Sequence, residues 1–291
     1  MINFTKMHGL GNDYIYIDRL NGKNEIEAEK IPSFVRYASN RHFGIGADGV
    51  IFIDNSKIAD YKMSIYNADG TQAEMCGNGI RCFAKYVYDK YISKCNSNCN
   101  AKCNPKCNSN CITNKPISIE TLAGIKYANL KLEDGGIEII QICMGKPQIL
   151  EKAKLKILDK TFEITNISMG NPHAIIYVDN VENFEVEKYG PLLENHKYYP
   201  NRTNVEFVQI INRGNIKMRV WERGTGETFA CGTGACAAAV ASNANGYTRT
   251  DVTVLLKGGE LKIDWDEISE NVFMEGIATK VFEGVIDENN I

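Results

Sequence analysis

The segment YNADGTQAEMCGNG, from Tyr66 to Gly79, aligns without a gap on WERGTGETFACGTG, from Trp221 to Gly234, and sets Cys76 on Cys231. A second pair, GNDYIYI from Gly11 and GNPHAIIYV from Gly170, matches Asn12 with Asn171, each entering an apolar strand. Both halves carry the two elements in the same order, which is the signature of a duplicated unit. The 291 residues suit two cores better than one, since domains usually run to about 100–150 residues. Two related lobes are therefore expected, with equivalent faces turned toward one cleft. Period-two alternation at Met63 and Ile65, at Ile216, Met218 and Val220, and at Val252 and Val254 predicts strands. Asp134-Gly135-Gly136 and Gly258-Gly259 predict hairpin turns and hence antiparallel pairing.

Each repeated cysteine follows a strand and loop and precedes a helical pattern. After Cys76, residues Ile80, Phe83, Ala84, Val87 and Tyr91 recur at helical spacing. After Cys231 comes ACAAAVAS, a run of small residues suited to a helix packed on all sides and ending near Gly246. Both thiols are thus predicted at helix N-termini, where unpaired N–H groups and the positive end of the helix dipole favour an anion. A thiol there can fall from about 8.5 toward neutrality and become a base. The flanking glycines let backbone N–H groups approach a bound carboxylate. Two such cysteines across a cleft meet the requirement for inverting a carbon centre, one removing a proton from one face while the other delivers a proton to the opposite face. Either cysteine alone would read as a small buried hydrophobe; two at equivalent places of a repeat do not. A redox pair would be expected as a close Cys-x-x-Cys.

The net charge of -3 offers no basic field for phosphate backbones or anionic lipid, so nucleic-acid and membrane partners are not expected. No stretch approaches the roughly 20 apolar residues of a membrane span, and the N-terminus lacks a secretory pattern, so a cytoplasmic location is expected. Cys95, Cys99, Cys103, Cys107 and Cys111 recur every fourth residue in an Asn-rich background. Their spacing does not match the closer Cys-x-x-Cys pairs of zinc sites, and a repetitive surface loop is the better reading.

The segments MHGLGNDY, RHFGIGADG, YNADGTQAEMCGNGIRC, GNPHA, RTNVEF and WERGTGETFACGTGACA together resemble the diaminopimelate epimerase family over nearly the whole chain outside the cysteine repeat. The resemblance implies an α/β fold of the α+β type: two pseudo-symmetric lobes, each a mostly antiparallel sheet wrapped around a central helix. The first lobe would span 1–130, with an insert at about 94–114, and the second 131–277, with a C-terminal strand over 278–291 returning to the first. It implies interconversion of LL- and meso-diaminopimelate by a homodimer, without pyridoxal phosphate, other cofactor or metal, in the supply of lysine and cell-wall precursors.

Carried over residue by residue, Cys76 and Cys231 resemble the two acid/base thiols, and His173 and Glu222 the pair that tunes them. Gly77, Asn78, Gly232 and Thr233 resemble the helix-end groups that hold the reacting carboxylate; Thr233 stands where Ser is frequent, keeping both N–H and hydroxyl. Asn12, Asn67, Asn171, Asn204, Glu222 and Arg223 resemble residues that bind the rest of the substrate. Each of these asparagines also lies near Gly, Asp or Pro at a strand end, where a turn-forming role is an equal reading. His173 could pack, and Glu222-Arg223 could be an exposed strand-end pair. Two alternatives stay open: another two-thiol racemase of the same fold, acting on proline or hydroxyproline, and a thiolate metal-binding protein using the cysteine repeat.

Overall fold

The computed structural model describes residues 1–93, 115–133 and 136–287. The repeat from Cys95 to Cys111 and the predicted turn residues Asp134 and Gly135 lie outside the described residues. The chain forms two compact units, one of Met1–Gly9, Asp13–Ile142 and Ile277–Ile291, the other of Leu10–Asn12 and Cys143–Gly276.

The first unit contains β1 (Ile2–Gly9), β2 (Asn12–Asp18), α1 (Ile31–Ser39), β3 (Gly49–Asp54), β4 (Tyr61–Asn67), β5 (Gln72–Ala73), α2 (Gly77–Val87), β6 (Ile117–Thr121) and β7 (Gly124–Glu133). The chain passes into the second unit along β8 (Gly136–Gly145). There follow β9 (Gln148–Ile149), β10 (Ala153–Ile157), β11 (Lys160–Ser168), β12 (Pro172–Tyr177), α3 (Val186–Glu194), β13 (Asn204–Asn212), β14 (Asn215–Glu222), β15 (Gly226–Thr228), α4 (Gly232–Ala244), β16 (Asp251–Leu256), β17 (Gly259–Trp265) and β18 (Val272–Gly276). The last strand, β19 (Thr279–Ile286), pairs antiparallel with β1 in the first unit.

The duplication extends to strand pairing. In the first unit β2 runs parallel to β3, β3 antiparallel to β4, β4 parallel to β6, and β6 antiparallel to β7. In the second, β12 runs parallel to β13, β13 antiparallel to β14, β14 parallel to β16, and β16 antiparallel to β17. In each unit a nine-residue helix, α1 or α3, makes the crossover between the parallel strands, and a short hairpin leads from the next strand to the cysteine helix. Parallel neighbours need such a crossover because a two-residue turn cannot reverse the chain twice.

The two cysteine helices are enclosed. Gly232, Gly234 and the run Ala235–Ser242 of α4 are buried, and α4 packs against β11, β12, β13 and β17. A helix surrounded by sheet needs small residues on every side, and the Ala-rich run meets that need. In α2 every residue is buried except Lys85. Among the described residues no helix is long and apolar enough to cross a membrane.

On the other face of the second sheet, Val205 and Phe207 of β13 pack with Val186, Tyr189 and Leu193 of α3. Gly190 of α3 lies directly on Trp221: a Cβ there would sit 2.6 Å from the indole Cγ. Gly190→Ala is therefore expected to cost about 1–3 kcal/mol through overpacking, more than the ~1 kcal/mol gained in helix propensity. Urea denaturation with an unchanged m-value is the check; stability equal to or above wild type would contradict this packing.

Candidate active site

Both thiols cap helices. Cys76 and Cys231 are the N-cap residues of α2 and α4, with extended backbones at φ/ψ of -134°/120° and -119°/115°. Cys76 Sγ accepts the Gly79 N–H at 3.4 Å, and Cys231 Sγ accepts the Gly234 N–H at 3.4 Å. Oxygen side chains normally do this, because the first four N–H groups of a helix lack intrahelical partners. A sulfur in that place receives N–H donation and the positive end of the helix dipole together, both of which favour thiolate. Gly79 and Gly234 pack closely: a Cβ would stand 2.7 Å from Ile51 Cδ1 in the first case and 2.6 Å from Glu206 Oε1 in the second, so a larger residue would displace those side chains. Cys76 is half-buried and Cys231 is 7% exposed.

In the second unit, five of the expected residues lie in one polar cluster. Thr233 Oγ1 lies 3.5 Å from Cys231 Sγ and accepts from Asn171 Nδ2 at 3.3 Å. His173 Nε2 lies 3.1 Å from Asn171 Oδ1, and its Nδ1 lies 2.7 Å from Glu206 Oε1. Glu222 accepts from the Thr228 hydroxyl. Burial pushes the Glu222 carboxyl above the usual carboxylate range, helped by the Glu206 charge and opposed by Thr228, His173 and Cys231. Burial also pushes the Cys231 thiol well up, and the Glu222 and Glu206 carboxylates add to it, against donation from Thr233 and Gly234.

Asn204 bridges two strands: its Nδ2 donates to Pro172 O and its Oδ1 accepts the Arg223 N–H, both at 2.9 Å. This holds the Arg223 backbone beside the strand carrying His173, while Arg223 Nη1 donates to Asn201 O at 3.4 Å. Asn12 belongs to this unit by its contacts, within a turn in which Leu10 and Gly11 both have positive φ, 58° and 83°. That turn is anchored in sequence by Asp13. Its partial burial raises the carboxyl, but bonds from Arg41 and Lys6 outweigh this and hold it below the usual range.

In the first unit, Asn78 Oδ1 accepts from Arg81 Nη2 at 2.9 Å, and Arg81 also donates to the Gly77 carbonyl at 3.3 Å. The Tyr16 hydroxyl donates to Gly79 O at 2.9 Å, so the first turn of α2 is held from two sides. Asn67 donates through Nδ2 to Thr71 Oγ1 at 3.1 Å within its own turn. Cys82, one turn into the helix, is 1% exposed, and burial pushes its thiol up to about 12. Among the described residues no three His, Cys, Asp or Glu side chains converge as a metal site.

Sequence reasoning missed Glu206, Glu194 and Arg81. Glu194 receives the Trp221 indole N–H at 2.8 Å, the Gly224 N–H at 2.8 Å and Arg202 Nη1 at 3.2 Å, fixing the hairpin that begins at Glu222. The available signal for Glu206 was a charge inside the apolar run Val205 to Val208, because a charge is seldom buried without a partner.

The profile described as "Diaminopimelate epimerase" matches residues 4–150 and 165–281. The chain belongs to the diaminopimelate epimerase family. A diaminopimelate epimerase of Methanococcus maripaludis strain S2 is 46% identical over 98% of this chain and 100% of its own length. That of Acetivibrio thermocellus is 45% identical over the whole of both chains. Family membership makes the protein an isomerase. The fold is shared more widely: a PhzF-family phenazine biosynthesis protein of Bacillus anthracis superposes with TM-score 0.70 at 18% identity, covering 98% of this chain and 99% of that one. A probable proline racemase of Agrobacterium radiobacter superposes with TM-score 0.68 at 14% identity, covering 99% of this chain and 93% of that one.

Proposed function

We propose that this protein interconverts LL- and meso-diaminopimelate by a two-base mechanism in which Cys76 and Cys231 exchange the roles of base and acid with the direction of reaction. The observation that carries this reading is the duplicated cap, in which each Sγ accepts the N–H three residues on at 3.4 Å. One thiolate takes the α-hydrogen as a proton, and the electron pair left on carbon is delocalised into the adjacent carboxylate. The thiol on the other face then gives its proton to that carbon. Nothing is oxidised or reduced, and the enzyme ends with its two sulfur protonation states reversed.

The carbanion requires a stabilised carboxylate, and N–H groups at Gly77, Asn78, Gly232 and Thr233 are suited to receive it. Asn12, Asn67, Asn171 and Asn204 supply uncharged hydrogen-bonding groups, Glu222 an acceptor for ammonium, and Arg223 a fork for the distal carboxylate. His173 and Glu222 tune the sulfur. The reading includes a cytoplasmic homodimer with neither pyridoxal phosphate nor metal. Incubation with LL-diaminopimelate and a chelator, without added cofactor, should yield the meso isomer, and L-proline should stay unchanged. Loss of turnover in chelator, or racemisation of proline at a comparable rate, would overturn it.

A further inference from the structure

Glu206 is 0% exposed, and its second oxygen, Oε2, has no hydrogen-bond partner. The duplicated frame supplies an internal control for this residue. In the second unit Glu206 is paired with Ile175 of β12 and Val220 of β14. The corresponding position in the first unit is Ile51, paired with Tyr16 of β2 and Ile65 of β4 and likewise 0% exposed. Gly79 and Gly234 confirm the equivalence, since a Cβ on the first would strike Ile51 and on the second Glu206. The fold accepts an aliphatic side chain at this position, so packing does not account for a carboxylate there, and a half-satisfied buried carboxylate is unfavourable unless compensated.

The polar atoms around it run in one direction. Asn171 Oδ1 can only accept, so His173 Nε2 donates to it at 3.1 Å. Glu206 Oε1 lies 2.7 Å from His173 Nδ1, and when Glu206 is ionised this oxygen can only accept from it. Both ring nitrogens then carry protons. Asn171 Nδ2 in turn donates to Thr233 Oγ1, which leaves the Thr233 proton free to point at Cys231 Sγ. We propose that Glu206 is a positioning residue of the reaction: its carboxylate holds His173 as the imidazolium, and thereby sets the direction of donation through Asn171 and Thr233 toward Cys231. When the ring keeps only the Nδ1 proton, donated to residue 206, the Asn171 amide turns to donate to Nε2 and Thr233 donates to Asn171. Cys231 then loses a donor to its thiolate. The other groups facing the assembly are Glu222, bonded to Thr228, and Tyr199, whose phenol is raised by burial, by Tyr198 and by Glu206.

This inference rests on the two-thiol reading, but its test uses the free enzyme and needs no substrate. Glu206→Gln keeps the shape and removes the charge. Acting through its charge alone, Glu206 would raise the Cys231 thiol, and the variant would lower the pH midpoint of Cys231 alkylation by iodoacetamide. Acting through the relay, with the carboxylate and imidazolium charges largely cancelling at the sulfur, the variant raises that midpoint by about one pH unit, the size of one lost hydrogen bond to a charged group. Peptide mapping follows Cys231 separately from the other cysteines, and a lowered or unchanged midpoint overturns the proposal. Nitrogen-15 NMR of wild-type His173 at pH 8 gives a second reading that stands even if the variant does not fold: two protonated ring nitrogens are expected, and a neutral ring overturns it. If wild type also fails to convert diaminopimelate, the functional reading is lost while both measurements still decide the role of Glu206.

Discussion

Cys76→Ser and Cys231→Ser are each expected to lower turnover by about 10²–10⁴-fold, the contribution typical of one positioned acid or base. Stability should be nearly unchanged. Each cysteine is an N-cap whose Sγ accepts an N–H at 3.4 Å, and serine is among the preferred N-cap residues, so the substitution preserves the structural role while removing a group that can ionise near neutrality. The Ala variants should lose activity to the same degree and also lose about 1 kcal/mol of stability, because the cap is then empty. Thermal unfolding beside steady-state turnover separates the two effects. A serine variant that unfolds early would make the cysteine structural, and one that keeps near-normal turnover would remove it from the chemistry.

Glu222→Gln is expected to move stability and activity in opposite directions. Burial raises the carboxyl of the folded protein above its unfolded value, so the native state binds this proton more readily than the unfolded chain. The group then costs no stability while it is protonated in both states. Its cost grows as pH rises from the ordinary glutamate range through the raised value, and is complete above that. Glutamine removes the cost. The variant should be more stable than wild type at pH 8 and should lose less stability between pH 4 and pH 8. Its turnover should fall by about 10–100-fold, because Cys231 loses a charged partner and the substrate ammonium an anionic acceptor. Urea denaturation at the two pH values is the check, and a variant less stable than wild type at pH 8 would show that the Glu222 charge is compensated in the fold.

The strands flagged by alternation at Met63 and Ile65, at Ile216 to Val220 and at Val252 and Val254 are β4, β14 and β16; burial alternates along β14 and β16, whereas in β4 Ser64 is buried together with Met63 and Ile65. Both cysteine helices begin where the repeat places them, and α4 ends at Ala244, two residues before Gly246 with its φ of 78°. The helix after Cys76 is shorter than its apolar spacing suggested: α2 stops at Val87 and a π turn spans Tyr88–Ile92, where the Tyr91 hydroxyl bonds Asp18. Period alone does not reveal such a tertiary bond.

The crossover helices α1 and α3 were not legible. Each has nine residues and contains a proline, Pro32 at the start of α1 and Pro191 inside α3, too little for a period to register. Motif likeness identified the residues next to the sulfur but not those behind them. Glu206 and Glu194 act through partners far away in sequence, His173 and Trp221, and only the strand registers and helix packing bring these together.

Two different groups are expected to handle the proton on opposite faces of one carbon. Conversion of LL-diaminopimelate in deuterium oxide, sampled at low conversion and read by mass spectrometry, distinguishes two bases from one. With two bases, the proton removed goes to one sulfur and the proton delivered comes from the other, already exchanged with solvent. The first meso product should therefore carry one deuterium per molecule, while the remaining LL substrate stays protiated. Product that retains substrate protium, or LL substrate that gains deuterium as fast as product forms, would mean that a single base serves both faces, and would contradict the assignment of Cys76 and Cys231.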